Sequence, residues 1–306
     1  MSKMYKIDFK PENNYIFLIG NGLNIAMGNN KCSWDRVLWD IAAPAGQEAL
    51  FTQENGTPKA LLSSIETFNA MQIYSDHEIF SENIVAVIKN IKFQEDKKSS
   101  LLAFAEKNNI DILTTNFDMN IERFLWNCDY EKIKFSCGAY YPWKKYYSAT
   151  DFDSCSNSKS KVWHIHGDIT QNRSILFSMT RYMRAARKAV ELLNDNKVNY
   201  VALKQTWVWE LLSRPLVIAG LGLGKSEIFL RWLLIERLMS AKRLKLNSDL
   251  PKSYYLYRCE EREDVKKLGN FLRTVNITPV CVGEDIFDSP IWDTDKQVIH
   301  LQEVEK

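Results

Sequence analysis

The sequence predicts an α/β protein: a Rossmann-like, doubly wound, mostly parallel sheet with helices on both faces and a large helical insertion after the first strand. Apolar runs of four to eight residues recur along the chain between turn or polar residues, as buried strands do. Longer stretches of helical periodicity separate them, and strands alternating with helices build a parallel sheet covered on both sides. Glycine is scarce, at twelve residues in 306, against an average of roughly 7%. Proline numbers only eight, so the chain should be rich in helix and poor in elaborate loops.

In chain order, the expected strands are Tyr15–Gly20 (YIFLIG), Ile110–Thr114 (IDILT), Lys132–Ser136 (KIKFS), Val162–His166 (VWHIH), Ile175–Ser178 (ILFS), Pro215–Gly220 (PLVIAG), Tyr254–Tyr257 (YYLY) and Thr278–Val282 (TPVCV). Helices are expected at Trp34–Ala42, Leu61–Tyr74, Ile79–Ile91, Ser99–Asn108, Met119–Trp126, Thr180–Leu193, Leu203–Leu212, Ser226–Lys245 and Glu260–Val275. The mostly helical excursion falls at about 29–108, and a second helical segment at about 179–213. Ser148–Lys161 reads as a surface loop. With no internal repeat and no linker rich in Pro, Gly or Ser, residues 1–306 are expected to form a single domain.

Lysine and arginine total 40 against 38 acidic residues, a net charge of +2. That is too balanced for a dedicated nucleic-acid binder. No apolar run reaches the ~18 residues of a membrane span, and the N-terminus lacks the apolar core of a secretory leader. None of the six cysteines has C-x-x-C spacing, which argues against a tetrathiolate zinc site. The expectation is a soluble, cytoplasmic protein with reduced thiols.

Five of the twelve glycines fall in two clusters, each directly after an apolar run. The first is Gly20-Asn21-Gly22-Leu23-Asn24, running on to Gly28. Glycines after a first strand let the backbone approach a phosphate, with amides from the following helix as donors. The spacing departs from G-x-G-x-x-G, so a nucleotide site and a tight structural turn both fit. The second cluster is Gly220-Leu221-Gly222-Leu223-Gly224-Lys225-Ser226. Counted from Ala219 it satisfies a relaxed phosphate-binding-loop pattern, which raises an ATPase reading through Lys225. No later strand ends in the aspartate that would hold magnesium.

Two further motifs close strands. Thr114-Thr115-Asn116-Phe117-Asp118 crowds polar residues at a strand's C-terminal end, where open α/β sheets bind ligands. An N-cap role would require only one of them. His164-Ile165-His166-Gly167-Asp168 holds two of the four histidines, and strand alternation places both on one face. Metal is not expected, because no further ligand cluster lies nearby.

Taken in order, these motifs resemble the sirtuin-like family, and specifically the bacterial sirtuin-like NAD hydrolases of anti-phage defence. The matching pieces are GNGLNIAMG at Gly20–Gly28, TTNFD at Thr114–Asp118, HGD at His166–Asp168, GLGLGKS at Gly220–Ser226, and the tyrosine of SMTRY, Tyr182. The resemblance spans about residues 14 to 290. It implies that Asn116, His166 and Asp118 work beside the nicotinamide ribose. Asn116 would hold a ribose hydroxyl or the attacking water, His166 would accept a proton, and Asp118 would orient. Gly20, Asn21, Gly22, Asn24, Thr115, Gly220, Gly222, Gly224 and Ser226 would contact NAD+.

The chain departs from the family in lacking the paired C-x-x-C zinc module of deacylating sirtuins, so protein deacylation is not expected. Asn21 and Asn24 stand where alanine and serine are common, and Lys225-Ser226 replaces small or acidic residues. The implied activity is NAD+ glycohydrolysis, with NAD+ as substrate and no metal. Control is expected through a homo-oligomer or a hetero-complex with a co-encoded defence protein acting as sensor. The alternatives are a phosphate-loop ATPase using Lys225 and a catalytically silent nucleotide-sensing subunit.

Overall fold

The computed structural model of the chain describes residues 4–28, 32–74, 77–127, 143–152, 159–194, 201–224, 227–243, 252–283, 285–292 and 298–302. Its strands are β1 (Met4–Asp8), β2 (Ile16–Ile19), β3 (Phe51–Glu54), β4 (Thr57–Ala60), β5 (Asp111–Thr114), β6 (Val162–His164), β7 (Leu216–Ala219), β8 (Ser253–Tyr257), β9 (Ile277–Cys281) and β10 (Val298–Gln302). Its α-helices are α1 (Gly22–Met27), α2 (Trp34–Ala42), α3 (Ser64–Tyr74), α4 (His77–Lys89), α5 (Ser100–Lys107), α6 (Asn120–Trp126), α7 (Met179–Asn194), α8 (Val201–Lys204), α9 (Trp207–Ser213), α10 (Ile228–Arg243) and α11 (Arg262–Thr274).

Six strands form the central sheet in the order β6-β5-β2-β7-β8-β9, and every pairing is parallel. The expected Rossmann-like architecture is therefore present. From β2 the chain runs outward through β5 to β6, then returns to the other side of β2 and continues through β7, β8 and β9. The order thus reverses at β2, and open α/β sheets place ligands beyond the strand ends at such a switch point.

Alternation along β2 splits the core in two. Phe17 and Ile19 pack with α1, α2, α5 and α6, whereas Ile16 and Leu18 pack with α7, α9, α10 and α11. All four β2 side chains are at most 1% exposed, which makes the strand continuously apolar. Burial of each such side chain is worth roughly 1.5–3 kcal/mol, so this central strand is the rigid base of the glycine loop that follows it.

Several expectations need correction. The stretch between β2 and β5 is not all helix, because β3 and β4 form an antiparallel hairpin. Its turn, Asn55-Gly56, has positive φ at both positions (51° and 73°), the geometry that suits a two-residue hairpin. Ile175–Ser178 is not a strand. The β6 edge is already met by Tyr147, which exchanges two backbone hydrogen bonds with Val162 (2.8 and 2.9 Å). The ILFS run is buried by packing instead. β1 and β10 pair with each other as a separate two-stranded sheet, and neither was expected. The expected strand Lys132–Ser136 lies outside the described residues.

The expectation of reduced thiols throughout is also corrected. Cys259 and Cys281 are disulfide-bonded, with Cα atoms 5.6 Å apart. Parallel pairing sets Cys281 beside Tyr257, which brings Cys259, two residues on, into reach. Among the described residues no helix is long and apolar enough to cross a membrane.

Candidate functional site

The two glycine loops meet at the switch point and approach each other backbone to backbone. Gly20 N donates to Ala219 O (3.0 Å) and Gly22 N to Gly220 O (2.8 Å). A Cβ on Gly22 would stand 2.5 Å from Gly220 Cα, and one on Gly20 would stand 2.5 Å from Gly220 O. What these glycines admit is therefore the opposite loop. The later loop is held from outside as well: the Tyr255 hydroxyl donates to Leu221 O (2.8 Å) and Arg231 to Leu223 O (2.7 Å). Gly222 and Gly224 are exposed, and nothing lies within 4 Å of a Cβ placed on Gly222. Lys225 and Ser226 fall outside the described residues.

Beside these loops, the chain leaving β5 turns sharply. Thr114 Oγ1 donates to Ile19 O (3.0 Å) and accepts from Asn116 N (3.1 Å), while Thr115 N donates to Ile19 O (3.1 Å). This pins the TTN segment to the end of β2. A small cavity of about 10 Å³ opens there, lined by Asn21, Asn24, Asn116, Phe117 and Asp118, and closed by Trp34, Val37, Ile88 and Ile91 of the insertion. The structure thus brings four of the expected polar residues to one cavity.

Three of those four are committed to one another. Asn24 Nδ2 donates to Asp118 Oδ2 (2.6 Å) and to Asn21 Oδ1 (3.1 Å), and Asn21 Nδ2 donates to Cys32 O (2.7 Å). Asp118 Oδ1 accepts from Asn120 N (3.0 Å). Burial raises the Asp118 pKa, against the lowering influence of Asn24, the Asn120 amide and His164. Both Asp118 carboxyl oxygens are thus engaged within the protein. Asn116 is the exception. It is 2% exposed, yet neither Nδ2 nor Oδ1 has a partner, and buried amides are seldom left so.

The two histidines diverge, contrary to the expectation of a shared face, because β6 ends at His164 and His166 already lies in the turn beyond. His166 does not line the cavity. Its ring sits 6.5 Å from Phe117 and 5.4 Å from Tyr182, centroid to centroid. Its Nδ1 is a long 3.5 Å from the Tyr182 hydroxyl, and Nε2 has no partner. Phe117 itself packs on Phe177 (4.6 Å) and Trp34 (5.5 Å). Burial lowers the His166 pKa to about 4, so the ring is neutral at pH 7.

His164 is placed differently. Its Nδ1 meets the Asn116 carbonyl and its Nε2 meets Glu122 Oε1, both at 2.7 Å. Burial would lower its pKa, but the Glu122 carboxylate, with help from Asp168 and the Asn116 carbonyl, prevails and raises it to about 9. Asp168 is held low by His164 and Lys145 despite its burial. Sequence reading did not single out Glu122, which is 0% exposed. No signal marks it, since a glutamate in a first helical turn is ordinarily solvated. Among the described residues no cluster of His, Cys, Asp or Glu is arranged to hold a metal.

The fold is thus a Rossmann-like α/β sheet with polar side chains gathered at the strand ends of its switch point. The model of the SIR2-like domain matches residues 110–280, from just before β5 to near the end of β9 and more than half of the chain. The protein belongs to this sirtuin-like family, whose domains use NAD+. The first glycine loop, Gly20–Gly28, lies ahead of the matched region. No curated protein matches the chain.

Proposed function

We propose that the protein is an NAD+ glycohydrolase, releasing nicotinamide and ADP-ribose. The observation that carries this reading is the pair of unsatisfied, buried polar groups at the switch point: the Asn116 amide on the cavity wall and His166 Nε2 nearby. Desolvated polar atoms without partners cost about 1–3 kcal/mol each, a cost that a bound ligand relieves. In a family that uses NAD+, the ribose hydroxyls and the attacking water supply what these groups lack.

In the reaction the C1′–N bond breaks, and nicotinamide leaves as a neutral base with the bonding electrons. A water oxygen bonds to C1′, and its proton is released. The ribose passes through oxocarbenium character, as in other glycosidic cleavages. So electrophilic a carbon needs only modest assistance from a base, which suits a neutral histidine of low basicity. His166 takes the proton and Asn116 holds the water or a ribose hydroxyl. Asp118 fixes the loop through Asn24 and Asn120. Contacts to the rest of NAD+ are assigned to Asn21, Asn24 and Thr115 on one side and to Gly220, Gly222, Gly224 and Ser226 on the other, while Gly20 and Gly22, whose amides bond to the opposite loop, shape the approach of the two loops.

The cavity, at about 10 Å³, has room for little more than a water and is far below the ~300–1,000 Å³ of pockets that take drug-sized ligands. Admission of a dinucleotide therefore requires the roof, Trp34, Val37, Ile88 and Ile91, to move. This supports an enzyme held closed until triggered, and the resemblance to the defence branch of the family makes depletion of NAD+ in anti-phage defence its proposed role. Control would pass through self-assembly or a co-encoded sensor subunit. Incubating the protein with NAD+, with and without its trigger, tests the activity. Loss of turnover in folded Asn116→Ala and His166→Ala supports it, and unchanged turnover in both refutes it.

A further inference from the structure

Asn116 has a partner on its main chain although its side chain has none. The Asn116 carbonyl and Glu122 Oε1 sit 2.7 Å from the two ring nitrogens of His164. Both are acceptors, and a neutral imidazole carries a single N–H. Against an ionised Glu122 carboxylate, only the doubly protonated ring satisfies the two contacts together. The ion pair is almost sealed, at 1% exposure for the His164 side chain and 0% for Glu122.

We propose that His164 and Glu122 form a positioning clamp that holds the Asn116 main chain, and so aims the Asn116 amide at the ribose of NAD+. The inference rests on the glycohydrolase reading of the same site. It supplies the reason for a buried ion pair at a place where a cationic transition state develops. An isolated imidazolium there would oppose oxocarbenium formation, whereas the paired ring is compensated. Its directional bonds still fix the turn between β5 and α6. The groups facing the ring are Glu122 from α6, Asp118 from the turn after β5, Asp168 from the turn after β6, and the edge-on ring of Tyr147 (5.6 Å). Of these, only Glu122 bonds to it.

The test compares wild type, Glu122→Gln and His164→Gln for kcat, KM for NAD+ and pH dependence. Glutamine at 122 keeps an acceptor for Nε2 and removes the charge that keeps the ring protonated. In the wild type kcat should fall as pH rises through about 9. In Glu122→Gln that limb should move roughly one pH unit or more lower, with KM changed less than about threefold. His164→Gln should lower kcat on the order of 10- to 100-fold at pH 7, as misplacement of a catalytic group does, and should lose the limb. A limb unmoved in Glu122→Gln, or full kcat in folded His164→Gln, overturns the clamp.

Ring protonation is read independently by ¹⁵N NMR of histidine-labelled protein, in which only four histidines contribute. A His164 ring with a single N–H at pH 8 overturns the clamp whatever the activity. Absence of NAD+ turnover in the triggered wild type, beside a doubly protonated His164, overturns the glycohydrolase reading and keeps the clamp as an anchor of Asn116.

Discussion

His164 and His166 stand two residues apart, both at most 3% exposed, and the protein treats them in opposite ways. At His164 every ring nitrogen is occupied and a buried carboxylate raises the pKa to about 9. At His166 one nitrogen is idle, the neighbours are aromatic, and burial alone lowers the pKa to about 4. At His164 both ring nitrogens are bonded, whereas at His166 Nδ1 has only the long contact to Tyr182 and Nε2 has none. The same division separates Asp118, whose oxygens are engaged, from Asn116, whose amide is not. The proposed function assigns the chemistry to the groups left unsatisfied.

Substitutions should separate the two kinds of residue, and the largest effect is expected on activity. Asn116→Ala and His166→Ala should each lower NAD+ turnover by ~10²–10³-fold. Asn116→Ala breaks no side-chain hydrogen bond, so urea unfolding should find its stability within about 1 kcal/mol of wild type. Glu122→Ala strands a buried imidazolium and should cost ~3–5 kcal/mol in the same measurement. Next in size, Gly22→Ala drives a methyl into the Gly220 backbone, and ~1–3 kcal/mol of lost stability is expected. Asn24→Ala removes the donor to Asp118 and should cost a similar ~1–3 kcal/mol.

The smallest effect lies in pH dependence. The His164 pKa is raised above that of the unfolded chain, so its contribution is complete below about 6.5 and is lost as pH rises through about 9. The His166 pKa is depressed, so its contribution is complete above about 6.5 and is lost as pH falls through about 4. Thermal melts across pH should show the wild-type advantage over His164→Gln shrinking on the alkaline side. The difference from His166→Ala should change on the acid side instead.

Much of the architecture was readable because it rests on local pattern. Fully apolar runs such as IFLI and LVIA can be satisfied only inside a sheet, and the motifs at their ends follow from sheet topology. The hairpin around Asn55-Gly56 was readable too, but the surrounding helical periodicity masked a two-residue signal. β1 and β10 escaped because their pairing joins the two ends of the described chain, and no local pattern reports such a contact. At the site, the strand-end motifs and their resemblance to the sirtuin-like family pointed to Asn116, Asp118 and His166, but not to how their polar atoms are spent. Glu122 and the mutual packing of Gly22 against Gly220 exist only in three dimensions. The disulfide likewise depends on the register of β8 on β9.

The most direct measurement is the product analysis of NAD+ incubated with triggered wild type, Asn116→Ala and His166→Ala, with nicotinamide and ADP-ribose quantified together. Equimolar nicotinamide and ADP-ribose from the wild type, and near-complete loss of both in the two variants, is the expected result. Equal release from all three proteins contradicts the assignment, as does intact NAD+ beside ATP hydrolysis that depends on Lys225.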